Sequence, residues 1–250
     1  MTATIVATAA GRTSWAVDWS ETLDASANVA YDTNPALVPG LSIVDRAAQL
    51  SVDGNTQMTT EVSQLTVTPR FAIIRYEEER NLDTTTGSLA LALQKIGERG
   101  QWNVSGLAQT DSTVTSELGQ TGITNVNFRH DAYNASVGYQ YFSTERLSWQ
   151  LQGFGQITRY NSDAQQYGLT SYNYGGIQLG PTWSLSERLQ GSLTIEADQV
   201  SPHVGTTERD YSVSVQLKRS LSEQYSWHSS AGATRVEFRG SPGVPTSGVF

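Results

Sequence analysis

The amino-acid sequence predicts an all-β fold, a transmembrane antiparallel up-and-down β-barrel, on three observations. Hydrophobicity alternates with a period of two over long stretches, the connections between those stretches alternate between short and long, and aromatic residues gather beside the short ones. Composition excludes most other classes. Only 38% of the 250 residues are hydrophobic and 16% are charged, yet aromatics hold at 9%, unlike the charge-rich, aromatic-poor composition of a disordered chain. No run approaches the roughly 18 apolar residues that a membrane-crossing helix needs. The absence of cysteine rules out disulfide scaffolds and thiolate metal sites, and a net charge of -8 argues against nucleic acid as a partner.

Residues 1–13 read as an N-terminal tail. They are mildly apolar and contain Ala7-Thr8-Ala9, a small-residue pattern that suits either the end of a signal peptide or a frayed terminus. Trp15, Val17, Trp19, Leu23, Ala25, Ala27, Val29 and Tyr31 then hold one phase, which predicts a strand over 14–32. Strands over 47–58 and 63–76 follow, turning at Thr59-Thr60-Glu61-Val62, and strands over 86–96 and 101–111 turn at Gly97-Glu98-Arg99-Gly100. Over 125–142 the odd positions Tyr133, Ala135, Val137, Tyr139 and Tyr141 oppose Asn134, Ser136, Gly138 and Gln140. The same alternation predicts strands over 147–160, 172–184, 189–199, 209–219 and 225–238.

Short turns at Ser143-Thr144-Glu145-Arg146, Leu185-Ser186-Glu187-Arg188 and Leu221-Ser222-Glu223-Gln224 form an internal repeat, one per hairpin. Longer polar connections lie near 33–46, 77–85, 112–124, 161–171 and 200–208. The barrel domain is thus expected over 14–238 with eleven strands visible, and 239–250, broken by Pro242 and Pro245, is expected to be an external loop or truncated tail. Bacterial barrels have an even strand count, so the expected total is twelve or more.

The polar face carries long side chains suited to a wet interior. Candidate lumen-facing residues are Asp53, Arg70, Gln150, Gln152, Glu196 and Lys218. Trp102, Tyr141, Trp149, Trp183, Tyr225 and Trp227 all fall within a few residues of a short turn, the placement of a membrane-interface girdle. His130, His203 and His228 lack metal-motif spacing, and no Gly-x-Ser-x-Gly elbow, phosphate loop or dinucleotide fingerprint is present. No catalytic residue, metal site or cofactor is therefore assigned, and no enzyme activity is expected. Gly175-Gly176 inside a strand reads as a bend or a close backbone approach.

The segment Thr68-Pro69-Arg70-Phe71, the loop segment Glu117-Leu118-Gly119, Ser201-Pro202 ahead of a loop ending at Asp210, and the repeated Ser-Glu-Arg-Leu turns carry a resemblance. The chain, from Trp15 to about Phe238, resembles porin-like outer-membrane β-barrel proteins of Gram-negative bacteria. That resemblance implies location in the outer membrane, contact with its lipid and lipopolysaccharide, and insertion by the barrel-assembly machinery. It leaves two functions open: a porin-like channel or passage for a small solute or surface polymer, and a non-conducting structural or interaction barrel.

Overall fold

The structure is a computed structural model that describes residues 2–12, 17–32, 44–113, 128–221, 225–239 and 247–249. Trp15, Glu117, Leu118, Gly119, Glu223, the 125–127 part of a predicted strand and Phe250 lie outside them. Among the described residues thirteen strands form one antiparallel up-and-down sheet whose spatial order, from β1 to β13, is the sequence order. They are β1 (Thr2–Arg12), β2 (Asp18–Asp32), β3 (Asp45–Thr59), β4 (Ser63–Tyr76), β5 (Thr84–Gly97), β6 (Gly100–Ser112) and β7 (Arg129–Phe142), then β8 (Leu147–Tyr160), β9 (Tyr172–Ser186), β10 (Leu189–Pro202), β11 (Thr207–Ser220), β12 (Ser226–Arg239) and β13 (Ser247–Val249).

The eleven predicted strands correspond to β2–β12, most extended by one to three residues at an end. Two expectations need correction. The segment taken as a tail is β1, paired along its whole length with β2 from Thr2↔Asn28 to Arg12↔Asp18. Its alternation, Ala3, Ile5, Ala7 and Ala9 against Thr2, Thr4 and Thr8, is shallow because alanine and threonine differ little in polarity; the partner strand reveals it by setting Ile5 opposite Ala25 and Ala7 opposite Leu23. The C-terminal segment taken as loop or tail contains β13, three residues paired with Arg235–Glu237 of β12.

Side chains of Ser and Thr shape the short turns. Thr60 Oγ1 accepts from the Ser63 N–H at 2.9 Å, and the Thr60 N–H donates to the Ser63 carbonyl at 2.8 Å. Thr144 Oγ1 accepts from the Leu147 N–H at 3.0 Å and the Arg146 N–H at 3.2 Å, and Ser186 Oγ accepts from the Arg188 N–H at 3.3 Å. Each hydroxyl replaces a backbone carbonyl in closing its turn, so the repeated Ser/Thr-containing turns have a mechanical cause.

By packing, the chain divides into two compact units. The first comprises Met1–Ala92, Gly106–Tyr133 and Thr158–Leu169. Its ladders β1–β4 place Leu23 opposite Gly54, Ala27 opposite Leu50 and Val52 opposite Phe71 on one face, and Ser26 opposite Ser51 and Asp53 opposite Arg70 on the other. Its buried hydrophobic residues are Ala47, Leu82, Phe128, Ala132 and Ala164, and the Phe128 ring lies 5.2 Å from that of Tyr167. The second unit comprises Leu93–Ser105, Asn134–Ile157 and Thr170–Phe250. Among its described residues no hydrophobic side chain is buried, and Ile177, Leu179, Ile195, Val213, Val215 and Leu217 are all exposed on one face of β9–β11.

Candidate functional site

Register separates two faces, and the polar one is where chemistry concentrates. In the first unit Asp24, Asp53 and Arg70 occupy one row across β2, β3 and β4, with Arg70 Nε 3.5 Å from Asp53 Oδ1. Both side chains are more than half exposed, so this ion pair contributes little to stability. They line an open cleft of about 330 Å³ together with Ser51, Thr86, Gln109 and Asp111. Side-chain hydrogen bonds tie neighbouring strands along the same face: Ser26 Oγ to Ser51 Oγ at 2.6 Å, and Asn28 Nδ2 to Gln49 Oε1 at 3.5 Å.

Further along this unit His130 Nδ1 lies 2.7 Å from Asp111 Oδ1, both side chains less than a fifth exposed, and the His130 ring centroid is 4.9 Å from that of Tyr160. The sequence alone assigns His130 no role beyond its lack of metal-motif spacing. The signal was available: His130 falls in the phase of Asn134 and Ser136, and Asp111 in that of Gln109. The spatial pairing of β6 with β7 was needed to join them.

At the edge of the first unit Asp45, only 2% exposed, organises the connection after β4. Its carboxylate accepts from the backbone N–H groups of Glu79 at 2.8 Å, Glu78 at 3.2 Å and Arg46 at 2.6 Å. The Glu79 N–H is the strongest influence holding the Asp45 carboxyl below the usual carboxylate range; burial opposes it, and the Glu78, Arg46 and Glu77 N–H groups add to it. The acidic run 77–79 is thereby a folded turn built on a carboxylate, with Glu77 also 3.7 Å from Arg46.

In the second unit Glu196 faces Ser212 and Gln178 across its two neighbouring strands, and Asp198 sits directly opposite Asp210. Gly176 is the other neighbour of Asp198, and a Cβ there would stand 2.6 Å from the Asp198 Cβ and 2.8 Å from Phe154 Cζ, which accounts for the glycine by close approach. Phe154 and Tyr174 pack with ring centroids 5.3 Å apart beside it. Lys218 lies at the far end of the same face, opposite Gln190 and His228. Gln150 is exposed and Gln152 half-buried on β8.

The aromatic residues singled out beside the short turns are exposed or half-buried. Trp102, at 46% exposure, stacks against Tyr139 at 4.5 Å; Tyr141, Trp149, Tyr225 and Trp227 are exposed, and Trp183 is half-buried. Trp149, Trp183, Pro181, Leu147 and Leu185 form an apolar groove with Arg146 at its edge. Among the described residues no group of three or more His, Asp or Glu side chains is placed to hold a metal ion, and no helix is long and apolar enough to cross a membrane.

No family model matches the chain, and no curated protein matches it. Solved structures similar to it include OmpT folded in vitro, an outer membrane protein of Vibrio cholerae, at TM-score 0.44 and 7% identity over 95% of this chain and 85% of that one. OmpT of Vibrio cholerae expressed in the outer membrane is similar at TM-score 0.44 and 8% identity, over 91% of this chain and 89% of that one. A variant of that protein lacking loop L8 gives TM-score 0.42 and 8% identity, with 96% and 92% covered.

Proposed function

We propose that the chain is an outer-membrane β-barrel of a Gram-negative bacterium whose polar face lines a porin-like passage for small solutes or a surface polymer. The inversion of its faces carries this reading. Thirty-three large hydrophobic residues are exposed among the described ones, against five hydrophobic residues that are buried, all five in the first unit. A half-exposed Leu or Ile in water forgoes about 1 kcal/mol of burial, so the nine Leu and four Ile among the exposed residues alone forgo on the order of ten kcal/mol of the burial on which a fold in water depends. Lipid removes that loss, because hydrocarbon is the solvent the outward residues match.

Strand length fits the same solvent. A strand of 14 residues such as β10 extends about 46 Å and, tilted by about 45°, crosses about 33 Å, close to the roughly 30 Å of a hydrocarbon core. The groove of Trp149, Trp183, Pro181 and Leu185 suits an acyl chain, with Arg146 near a lipid headgroup. Insertion of such a sheet is work for the barrel-assembly machinery.

Single-channel recording of the full chain in planar bilayers tests the passage. Discrete conductance steps are expected. A protein that inserts and folds yet stays electrically silent refutes the passage and leaves the non-conducting structural barrel.

A further inference from the structure

We propose that the cleft over Asp53 and Arg70 is a binding site for a free α-amino acid, with Arg70 taking the carboxylate and Asp53 the ammonium. The inference rests on the passage reading above and names the solute. Arg70 Nε stands 3.5 Å from Asp53 Oδ1, and the two side chains are 67% and 52% exposed. Hydrogen bonds between charged groups run about 2.7–2.9 Å, so this contact is long, and the guanidinium fork and the carboxylate keep capacity for a ligand. A planar fork of N–H donors is the geometry that a carboxylate fits bidentately. Asp24, opposite Asp53 on β2, adds a second carboxylate at the ammonium end. An exposed ion pair holds weakly, so a ligand opens this one at little cost.

Neutral groups line the rest of the cleft. A Cβ on Gly87 would lie 3.9 Å from Phe71 Cδ2 and 3.7 Å from Thr110 Cγ2, so Gly87 shares a face with those two. Alternation then puts Thr86, Ser88, Gln109 and Asp111 on the face of Arg70. Asp111 is already engaged, its Oδ1 2.7 Å from His130 Nδ1. The cleft therefore holds charges of both signs where β3 meets β4, and hydroxyls and an amide over β5 and β6.

Other solutes match this arrangement less well. A simple anion that reaches Arg70 meets Asp53 and Asp24 in the same row, and a simple cation that reaches those carboxylates meets Arg70. A sugar stacks on an aromatic face, but the ring at the cleft, that of Phe71, is opposite Val52 on the apolar face. At about 330 Å³ the cleft is at the small end of ligand sites, which suits one small molecule rather than a polymer. An ammonium and a carboxylate on one carbon match both signs across adjacent strands about 4.8 Å apart. The hydroxyls of Thr86 and Ser88 and the amide of Gln109 suit a polar side chain on that carbon.

Calorimetric titration of the folded full chain in detergent micelles tests the site. The probes are L-glutamine, glutaramate, which lacks the ammonium, and 4-aminobutanamide, which lacks the carboxylate. L-Glutamine is expected to bind about tenfold or more tighter than either, the loss that follows when a charged hydrogen bond goes unmade. Arg70→Gln is expected to bring L-glutamine and 4-aminobutanamide to equal affinity, and Asp53→Asn to do the same for L-glutamine and glutaramate. Arg209→Gln, in phase with the apolar Val213 and Val215, is expected to change none of the three. The comparison of probes on the unaltered chain carries the test should a variant not fold. Equal affinity for the three probes, binding of none, or variants that weaken all three together overturn the proposal. Conductance in planar bilayers without binding leaves the passage standing and the site refuted; binding without conductance refutes the passage alone.

Discussion

Replacing Val215 with arginine asks the membrane question at one position. Val215 is 46% exposed, lies between Leu193 and Ala231 in register, and is about 5 Å along the strand from the middle of β11. An arginine there enters hydrocarbon near the midplane, which costs about 2–4 kcal/mol, or roughly a 30- to 900-fold shift in the folding equilibrium. Gln216, the next residue, lies between Ser192 and Ser230 on the polar face, and Gln216→Arg should change stability by about 0.5 kcal/mol or less, as expected of a solvated site. Urea unfolding in lipid vesicles, followed by tryptophan fluorescence, measures both. Equal losses at 215 and 216 would mean that both faces are packed and dry; a harmless Val215→Arg would mean that the apolar face meets water. Either outcome defeats the membrane argument.

Three further outcomes follow from local geometry. The lowered folded-state pKa of Asp45 means its contribution to stability is present above the ordinary carboxylate value and is lost as pH falls through the lowered one; Asp45→Asn should remove that acid-dependent step, seen as a smaller loss of stability between neutral and acidic pH. His130→Phe keeps the ring against Tyr160 but takes away a partner from the half-buried Asp111, and should cost about 1–3 kcal/mol in urea unfolding. Cysteines placed at Glu78 and Asp163, in long connections, should react with an impermeant reagent on intact cells while those at Glu145 and Glu187 do not; the reverse pattern would invert the proposed orientation.

Most of the strand pattern was legible because alternation on a two-sided sheet is a local property. From Tyr133 to Tyr141 or from Leu189 to Ala197 each residue declares its face by its own polarity, and the Ser and Thr of the short turns mark where direction reverses. Where polarity contrast fades the method fails. The Ala/Thr alternation of β1 is too shallow to distinguish strand from tail, and the three residues of β13 are too few to show a period; pairing with a neighbour defines both.

Functional contacts were less legible because they depend on register between strands, which single-strand periodicity does not supply. Asp53 and Arg70 were each placed on the polar face from the sequence, but their pairing follows from the β3–β4 ladder. The opposition of Asp198 and Asp210 depends likewise on the connection at 203–206, where Gly205 adopts φ of 115°, a backbone conformation that strongly favours glycine. Because side chains alternate, sliding β11 past β10 by two residues would leave every side chain on its own face and the membrane exterior intact, yet it would set Asp198 opposite Ser212 or Glu208 instead of Asp210. An apolar exterior constrains the register only to within an even number of residues. The geometry of one short connection fixes the remainder, and with it which carboxylates face one another across the polar wall.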